Sequence, residues 1–433
     1  MSTFPPRDPS TRLRPAHSVT RRPDPLPDAP PQHSAPAVTQ EGTTRFGTTV
    51  TLLALAAFFS GAALRVCDAL LPRLAADFAV SAGVAGRVII SFSVAYGLMQ
   101  LVFGPLGDRF GKPQVMCVAL LGCALGAGAS AMAADLDALV FLRIFWGMAA
   151  GGVIPLGMAW IGDAVPYERR QATLARLLTG TLSGMMAGQL AGGLFADSAW
   201  GWRGAFAVAA AGYVLVGVLL MLHLRAHAAP APKAPAATGL HGMASNIGLV
   251  LRTPWARVVL LAAGVEGIFL LGPLAFAPAY LHQRHAISLS AAAALAALYA
   301  AGGLVYAMTA RRVVRRLGER RMARWGGILM GCGFLAWWLL PSPALAGVTA
   351  LVIGFGTYLY HNTLQTHATQ MAPAVRGTSV ALFAFSLFAG QALGVSLAGF
   401  VVDRAGFVPM LLLSAIALPT AGWWFARALR RRG

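Results

Sequence analysis

Twelve apolar runs, each about 20 residues or longer, follow one another along this chain near residues 47–72, 84–107, 114–134, 137–163, 171–196, 203–225, 255–281, 289–311, 322–341, 344–370, 377–402 and 406–428. A helix rises about 1.5 Å per residue, so every run is long enough to cross the roughly 30 Å hydrocarbon core of a bilayer. Backbone groups in that core have no water to bond, and runs of this length satisfy them by forming helices. The expected fold class is an all-α membrane protein with twelve transmembrane helices and the lipid bilayer as its surroundings. Composition agrees, since 57% of the residues are hydrophobic and only 11% charged, far from the mix of an ordinary globular domain.

The formal net charge of +19 would in a soluble chain suggest a nucleic-acid partner, but the placement of the charges argues against nucleic acid. With the N-terminus inside, only Arg73, Arg87, Arg203, Arg284 and Arg404 fall on the outer side and Arg65 and Arg143 within runs; the remainder of the 34 Lys and Arg lie on the inner side. That asymmetry is the positive-inside pattern and sets both termini in the cytoplasm. The densest block, Arg311, Arg312, Arg315, Arg316, Arg320, Arg321 and Arg324, falls between runs eight and nine and reads as a topology anchor at an anionic leaflet.

Residues 1–46 are rich in Pro and Arg and bury too little apolar surface to fold, so they read as a disordered cytoplasmic tail with no cleaved signal peptide. A Pro/Ala-rich linker at 226–254 divides the runs six and six, giving halves at 47–225 and 255–428, with a short basic tail at 429–433. Cys67, Cys117, Cys123 and Cys332 lie in apolar runs without metal-ligand spacing, so free, buried thiols and no metal are expected.

Ionisable side chains inside hydrocarbon are costly and are functional candidates by default. Four qualify: Arg65, Asp68, Arg143 and Glu266. Arg65 stands three residues before Asp68 on the same helical face and is one candidate partner for it. Glu266 lies near the middle of run seven with no basic residue close in sequence. It reads either as a second proton or substrate site or as a carboxylic acid bonded to a neighbouring helix. Run ten carries a polar row, Tyr358, His361, Asn362, Gln365 and Thr369, at three-and-four spacing; such a face looks into a cavity or bonds another helix. Tyr96, Gln100, Phe269, Phe276, Tyr299 and Tyr306 are candidates for lining an amphiphilic pocket, with packing as the alternative.

Gly104-Pro-Leu-Gly-Asp-Arg-Phe-Gly-Lys112, between runs two and three, closely resembles the Gly-x-Leu-x-Asp-Arg-x-Gly-Arg/Lys motif of the major facilitator superfamily. Arg143-Ile-Phe-Trp-Gly147 and Asp163-Ala-Val-Pro-Tyr-Glu-Arg-Arg170 are similar to further signatures of that family. Gly184-Met-Met-Ala-Gly-Gln-Leu-Ala-Gly-Gly193 resembles an exporter-associated pattern except that Gln189 stands where the pattern has Pro, and Gly184, Gly188 and Gly192 serve either close packing or the shape of the cavity. Asp68-Ala-Leu-Leu-Pro72 resembles the Asp-x-x-x-Pro of one group of drug/proton antiporters.

The resemblance implies the major facilitator fold, two six-helix halves with a substrate site between them near the midplane. It implies that Gly104, Asp108, Arg109, Gly111 and Lys112 form a latch that meets the start of run eleven around Arg376 in the outward-open state. It also sets runs one and four side by side, so that Asp68 would bind the coupling proton while Arg143 holds it ionised in one conformation. The expected activity is proton-coupled efflux of a small amphiphilic molecule across the bacterial inner membrane by a monomer, with a small-molecule substrate and protons as partners. Neither a cofactor nor enzymatic chemistry is expected, since no ATP-binding loop, metal cluster or nucleophile triad is evident. A proton symporter importing a sugar or organic acid is the competing reading, and a non-transporting sensor or scaffold a more distant one.

Overall fold

The computed structural model describes residues 40–226 and 240–432. Of the tail expected at 1–46, residues 1–39 lie outside the described residues, as does the Pro/Ala-rich stretch at 227–239, while 40–46 are not disordered but form the start of the first helix. Every regular element among them is helical. Spans one to six are Gln40–Asp77, Arg87–Phe110, Lys112–Ala131, Leu136–Ala150 continued by Val153–Ala164, Tyr167–Asp197 and Gly201–Ala226. A one-turn helix, Ala82–Ala85, leads into span two.

Ten helices are long and apolar enough to cross a membrane, and two features bring the count to twelve. The 51-residue helix Leu289–Leu339 is about 76 Å long at 1.5 Å per residue, more than twice a bilayer core. It breaks at Gly318, where φ 68° and ψ 165° are open to glycine but not to a residue with a Cβ. Span eight is thus 289–317 and span nine 319–339. Span five is diluted by Arg169, Arg170 and Arg176 in its first turns, which lowers its hydropathy without shortening it.

Span seven is interrupted. Pro254–Glu266 passes into a π-helical turn, Gly267–Leu271, and resumes as Gly272–Ala275 and Ala277–His285. Pro273 and Pro278, which lack an amide donor, fall in the first turn of the two resumed pieces. Spans ten, eleven and twelve are Pro343–Ala368, Arg376–Ala405 and Phe407–Arg432.

Some expected boundaries move. The later part of the linker, Leu240–Arg252, is helical. The residues assigned to a basic tail continue span twelve as far as Arg432. Cys67, Cys117 and Cys123 are buried, but Cys332 is exposed, because it lies on the outward face of span nine and not in the core.

Within the first half, span one packs along span five. A Cβ on Gly184 would run into the carbonyl oxygen of Phe58, and on Gly188 or Gly192 into that of Ala62 or Val66. The stripe therefore serves close helix approach, and the cavity-shaping alternative falls away. Spans seven and eleven repeat the arrangement, with Gly390 and Gly394 against the carbonyls of Gly264 and Ile268. The two halves meet where span two packs on span eleven and span five on span eight.

Candidate functional site

A cavity of about 2070 Å³ opens between the halves. Its mouth is framed by Gly104, Asp108, Arg109, Gly111 and Lys112 on one side and Arg376 and Gly377 on the other. From there it runs inward past Gln100, Asn362 and Gln365 to Tyr96, Arg65, Glu266, Tyr299, Tyr358 and His361. Tyr358, His361, Asn362 and Gln365 of the polar row thus face the cavity, whereas Thr369 does not line it and donates to the Thr366 carbonyl. Phe269 does not face it either; it lies in the π turn and packs against the apolar core. Phe276 is fully buried in that core, and Tyr306 packs with Met322 and Leu359. Gln189 is buried and does not line this cavity; it lines a small adjoining crevice that shares Arg65, Met185 and Tyr299 with it.

Sequence reasoning missed Gln391. It is 3% exposed yet reaches the cavity wall, and its signal was an internal repeat: Gly188-Gln-Leu-Ala-Gly192 in span five returns as Gly390-Gln-Ala-Leu-Gly394 in span eleven. The residue at the proline position of the exporter pattern is therefore glutamine in both halves.

At the inner end of the cavity Arg65 Nη1 donates to Asp68 Oδ2 at 3.0 Å, both side chains being buried. The pair comes from one helix at i and i+3, so it needs no reach between helices. The guanidinium also stands 5.5 Å from the ring centroid of Tyr299 in the other half. Arg143 is not the partner of Asp68 here: no ion pair joins them within 4.0 Å. Its guanidinium lies 3.9 Å from the ring centre of Phe92 and 4.6 Å from that of Trp146, where aromatic faces attract it, and its Nε donates to the Val88 carbonyl at 3.4 Å. Asp68 Oδ1 and Arg143 Nη1 are both left buried without a hydrogen bond.

Glu266 is not unpaired either. His361 Nδ1 stands 3.1 Å from Oε2 and 3.2 Å from Oε1 of Glu266. The partner sits 95 residues along the chain, on span ten, which is why no nearby basic residue revealed it. Glu266 is buried at 1% while His361 keeps 20% of its side-chain surface open to the cavity.

At the mouth, Lys112 Nζ donates to Asp108 Oδ1 and Asp163 Oδ2, each at 2.7 Å. Gly111 has φ 90°, a turn that a Cβ would strain, which accounts for the motif's glycine before Lys112. Asp108 does not touch span eleven; the cavity mouth lies between them.

The opposite face is shut. Asp403, ending span eleven, accepts from Ser81 Oγ at 2.6 Å and from the Gly83 amide at 3.0 Å, where the chain enters span two. Asp197, ending span five just past its apolar stretch, accepts from the amides of Ser290 at 2.7 Å and Leu289 at 3.2 Å, the N-terminus of span eight. Each carboxylate satisfies amides that a helix start leaves unpaired and meets the positive end of its dipole. Burial disfavours the charge on Asp197, but those amides and the Ser290 hydroxyl outweigh it and hold the carboxyl below its ordinary range. The two locks occupy corresponding places in the two halves.

The Major Facilitator Superfamily model matches residues 53–395. The chain belongs to that superfamily. It is 23% identical over 358 residues to the uncharacterized MFS-type transporter YceJ of Bacillus subtilis, covering 81% of this chain and 90% of that one. It is 29% identical over 151 residues to the multidrug export protein EmrB of Haemophilus influenzae, covering 35% of this chain and 30% of EmrB. Among solved structures, the nucleoside transporter NupG superposes with a TM-score of 0.72 at 12% identity, covering 87% of this chain and 98% of that one. The xylose transporter XylE of E. coli, in a partially occluded inward-open conformation, gives 0.69 at 14% identity, covering 89% and 98%. The protein is thus a multi-pass membrane transporter of the major facilitator fold, and the cavity between its halves is where that fold binds its substrate.

Proposed function

We propose that this transporter is a proton-coupled exporter of a small amphiphilic molecule across a bacterial inner membrane, working as a monomer with its arginine-rich face and both termini in the cytoplasm. On that topology the cavity is open inward and the Asp197 and Asp403 locks close the periplasmic side. The observation that carries the reading is the Asp68–Arg65 pair, buried at the cavity's end with the guanidinium beside Tyr299 of the other half.

In this cycle the guanidinium-paired Asp68 is the proton-free form, and the inward-open state is the one that has released its proton. Motion between the halves that parts Arg65 from Tyr299 loosens the pair. A buried carboxylate that loses its counter-charge takes up a proton, here from the periplasmic side. The unsatisfied Asp68 Oδ1 and Arg143 Nη1 allow a passing contact on the return stroke, in which Arg143 helps expel that proton toward the cytoplasm. Proton entry then returns the carrier to the inward-open state once cargo has left. Alternation between guanidinium and proton at Asp68 couples the two fluxes, and by linkage proton and substrate weaken each other's binding by the same factor.

The Glu266–His361 pair and Gln391 give the cavity hydrogen-bonding groups for a polar end of the cargo, while Phe383 and Phe388 line it as apolar surface. The match of part of the chain to proteins named as multidrug exporters supports export over import. When the cavity closes, Asp108 is freed to meet the N-terminus of span eleven, the outward-open latch.

The test is proton flux in proteoliposomes across a panel of amphiphiles. Export predicts alkalinisation of the proton-rich side on addition of substrate, and Asp68→Asn predicts loss of pH-gradient-driven transport with insertion intact. Transport of normal steepness in that variant, or cargo moving in the same direction as the protons, refutes the reading.

A further inference from the structure

Away from the translocation path, at the basic membrane edge, a second cavity of about 1100 Å³ lies between the start of span nine, the end of span ten and the end of span twelve. Six arginines line it: Arg320, Arg321 and Arg324 from span nine and Arg427, Arg430 and Arg432 from span twelve. Glu319 is the one carboxylate on the wall, and it already accepts a contact from His367 at 3.0 Å. Among the described residues, none of the six arginines is ion-paired with a carboxylate.

A topology anchor needs only charge on the correct side of the membrane. It does not need guanidinium groups from two distant segments converging on one hollow. Six like charges around a shared cavity repel unless an anion sits among them, and guanidinium forks match phosphate oxygens in pairs. The wall is also partly apolar: Leu317, Ala426 and Leu429 contribute to it, and Trp423 is 46% exposed at its rim. Tryptophan at the end of a span sits at headgroup depth, where one part of a ligand is wet and another oily.

We infer that this cavity binds the headgroup of an anionic phospholipid carrying two phosphates, its acyl chains running down the outer surface of spans nine and twelve past Trp423. The gap at Gly318 between spans eight and nine sets Arg320 and Arg324 at the level of the span-twelve arginines. A bound headgroup fastens that turn to span twelve and neutralises the repulsion between them.

The full chain in a neutral detergent, freed of lipid, is titrated with diphosphatidylglycerol and read by native mass spectrometry and by thermal unfolding. Phosphatidylethanolamine and inorganic pyrophosphate serve as the zwitterionic and free-anion probes. Diphosphatidylglycerol should remain bound and raise the melting temperature, and the Arg324→Gln/Arg427→Gln/Arg430→Gln variant should bind about a hundredfold more weakly. Removing the same number of charges outside the cavity, Arg311→Gln/Arg312→Gln/Arg315→Gln, should leave affinity within a few-fold. If the cavity variant does not fold, the Lys triple at the same positions makes the measurement, keeping charge and losing the paired contacts, and it too should bind more weakly. Equal weakening by both Gln triples, unchanged affinity in the cavity variants, or stabilisation by pyrophosphate equal to that by the lipid overturns the inference.

Discussion

The two carboxylate locks make the conformational equilibrium calculable. Asp197 and Asp403 each hold a helix start through two hydrogen bonds, and truncating a capping carboxylate costs about 1 kcal/mol. The two sit on different helix pairs with no shared partner, so their effects should add. Asp197→Ala/Asp403→Ala therefore removes about 2 kcal/mol from the state closed on that face, a roughly thirtyfold shift toward its opening. Spin labels on cysteines at Ala134 and Ala344, exposed positions on that face in opposite halves, report the shift as a longer pulsed-resonance distance. The background needs Cys332→Ser, since Cys332 is exposed. Acid should act in the same direction. Asp197 is held below the ordinary carboxylate range in the closed state, so its contribution is full above the free carboxylate pKa and is lost as pH falls through the depressed value. An unchanged distance distribution in the double variant, or closure favoured by acid at Asp197, refutes the lock.

Four further outcomes follow from the same geometry. Gly184→Val drives its side chain into the Phe58 carbonyl and should cost about 1–3 kcal/mol, read as a lower melting temperature in detergent. Gly104→Leu meets open space in this conformation, so stability should hold while transport falls and thiol probes added on the side of the mouth label the cavity more fully, because the mouth no longer closes. Glu266→Gln replaces the carboxylate beside His361 and should weaken substrate binding several-fold without abolishing proton coupling; unchanged affinity would leave the pair a structural contact. Asp108→Ala frees Lys112 of one of its two partners and should move thiol accessibility toward the inward-open pattern.

What the sequence revealed tracks the range of the interactions. Span length, the division into halves and the Asp68–Arg65 pairing are local, set by run length or by i, i+3 spacing. Gly111 was legible in the same way, since the turn needs it regardless of what packs nearby. The Glu266–His361 contact depends on spans seven and ten lying together, which no spacing encodes. Arg143 does not meet Asp68 in this conformation, because its guanidinium is held against the rings of Phe92 and Trp146, contacts that no spacing along the chain encodes. The unbroken run from span eight into span nine was hidden for another reason: its arginines read as a loop, but a single residue, Gly318, makes the turn.

The paired glycine seams, span one on span five and span seven on span eleven, leave each half little freedom to deform. The side chains that line the cavity come from other faces of those helices and from span ten. Preference for cargo can therefore drift by substitution at Tyr358, Asn362 or Phe388 while the fit that assembles the protein stays as it is. A lineage carrying this chain can acquire a new compound to handle without rebuilding the hinge that moves it.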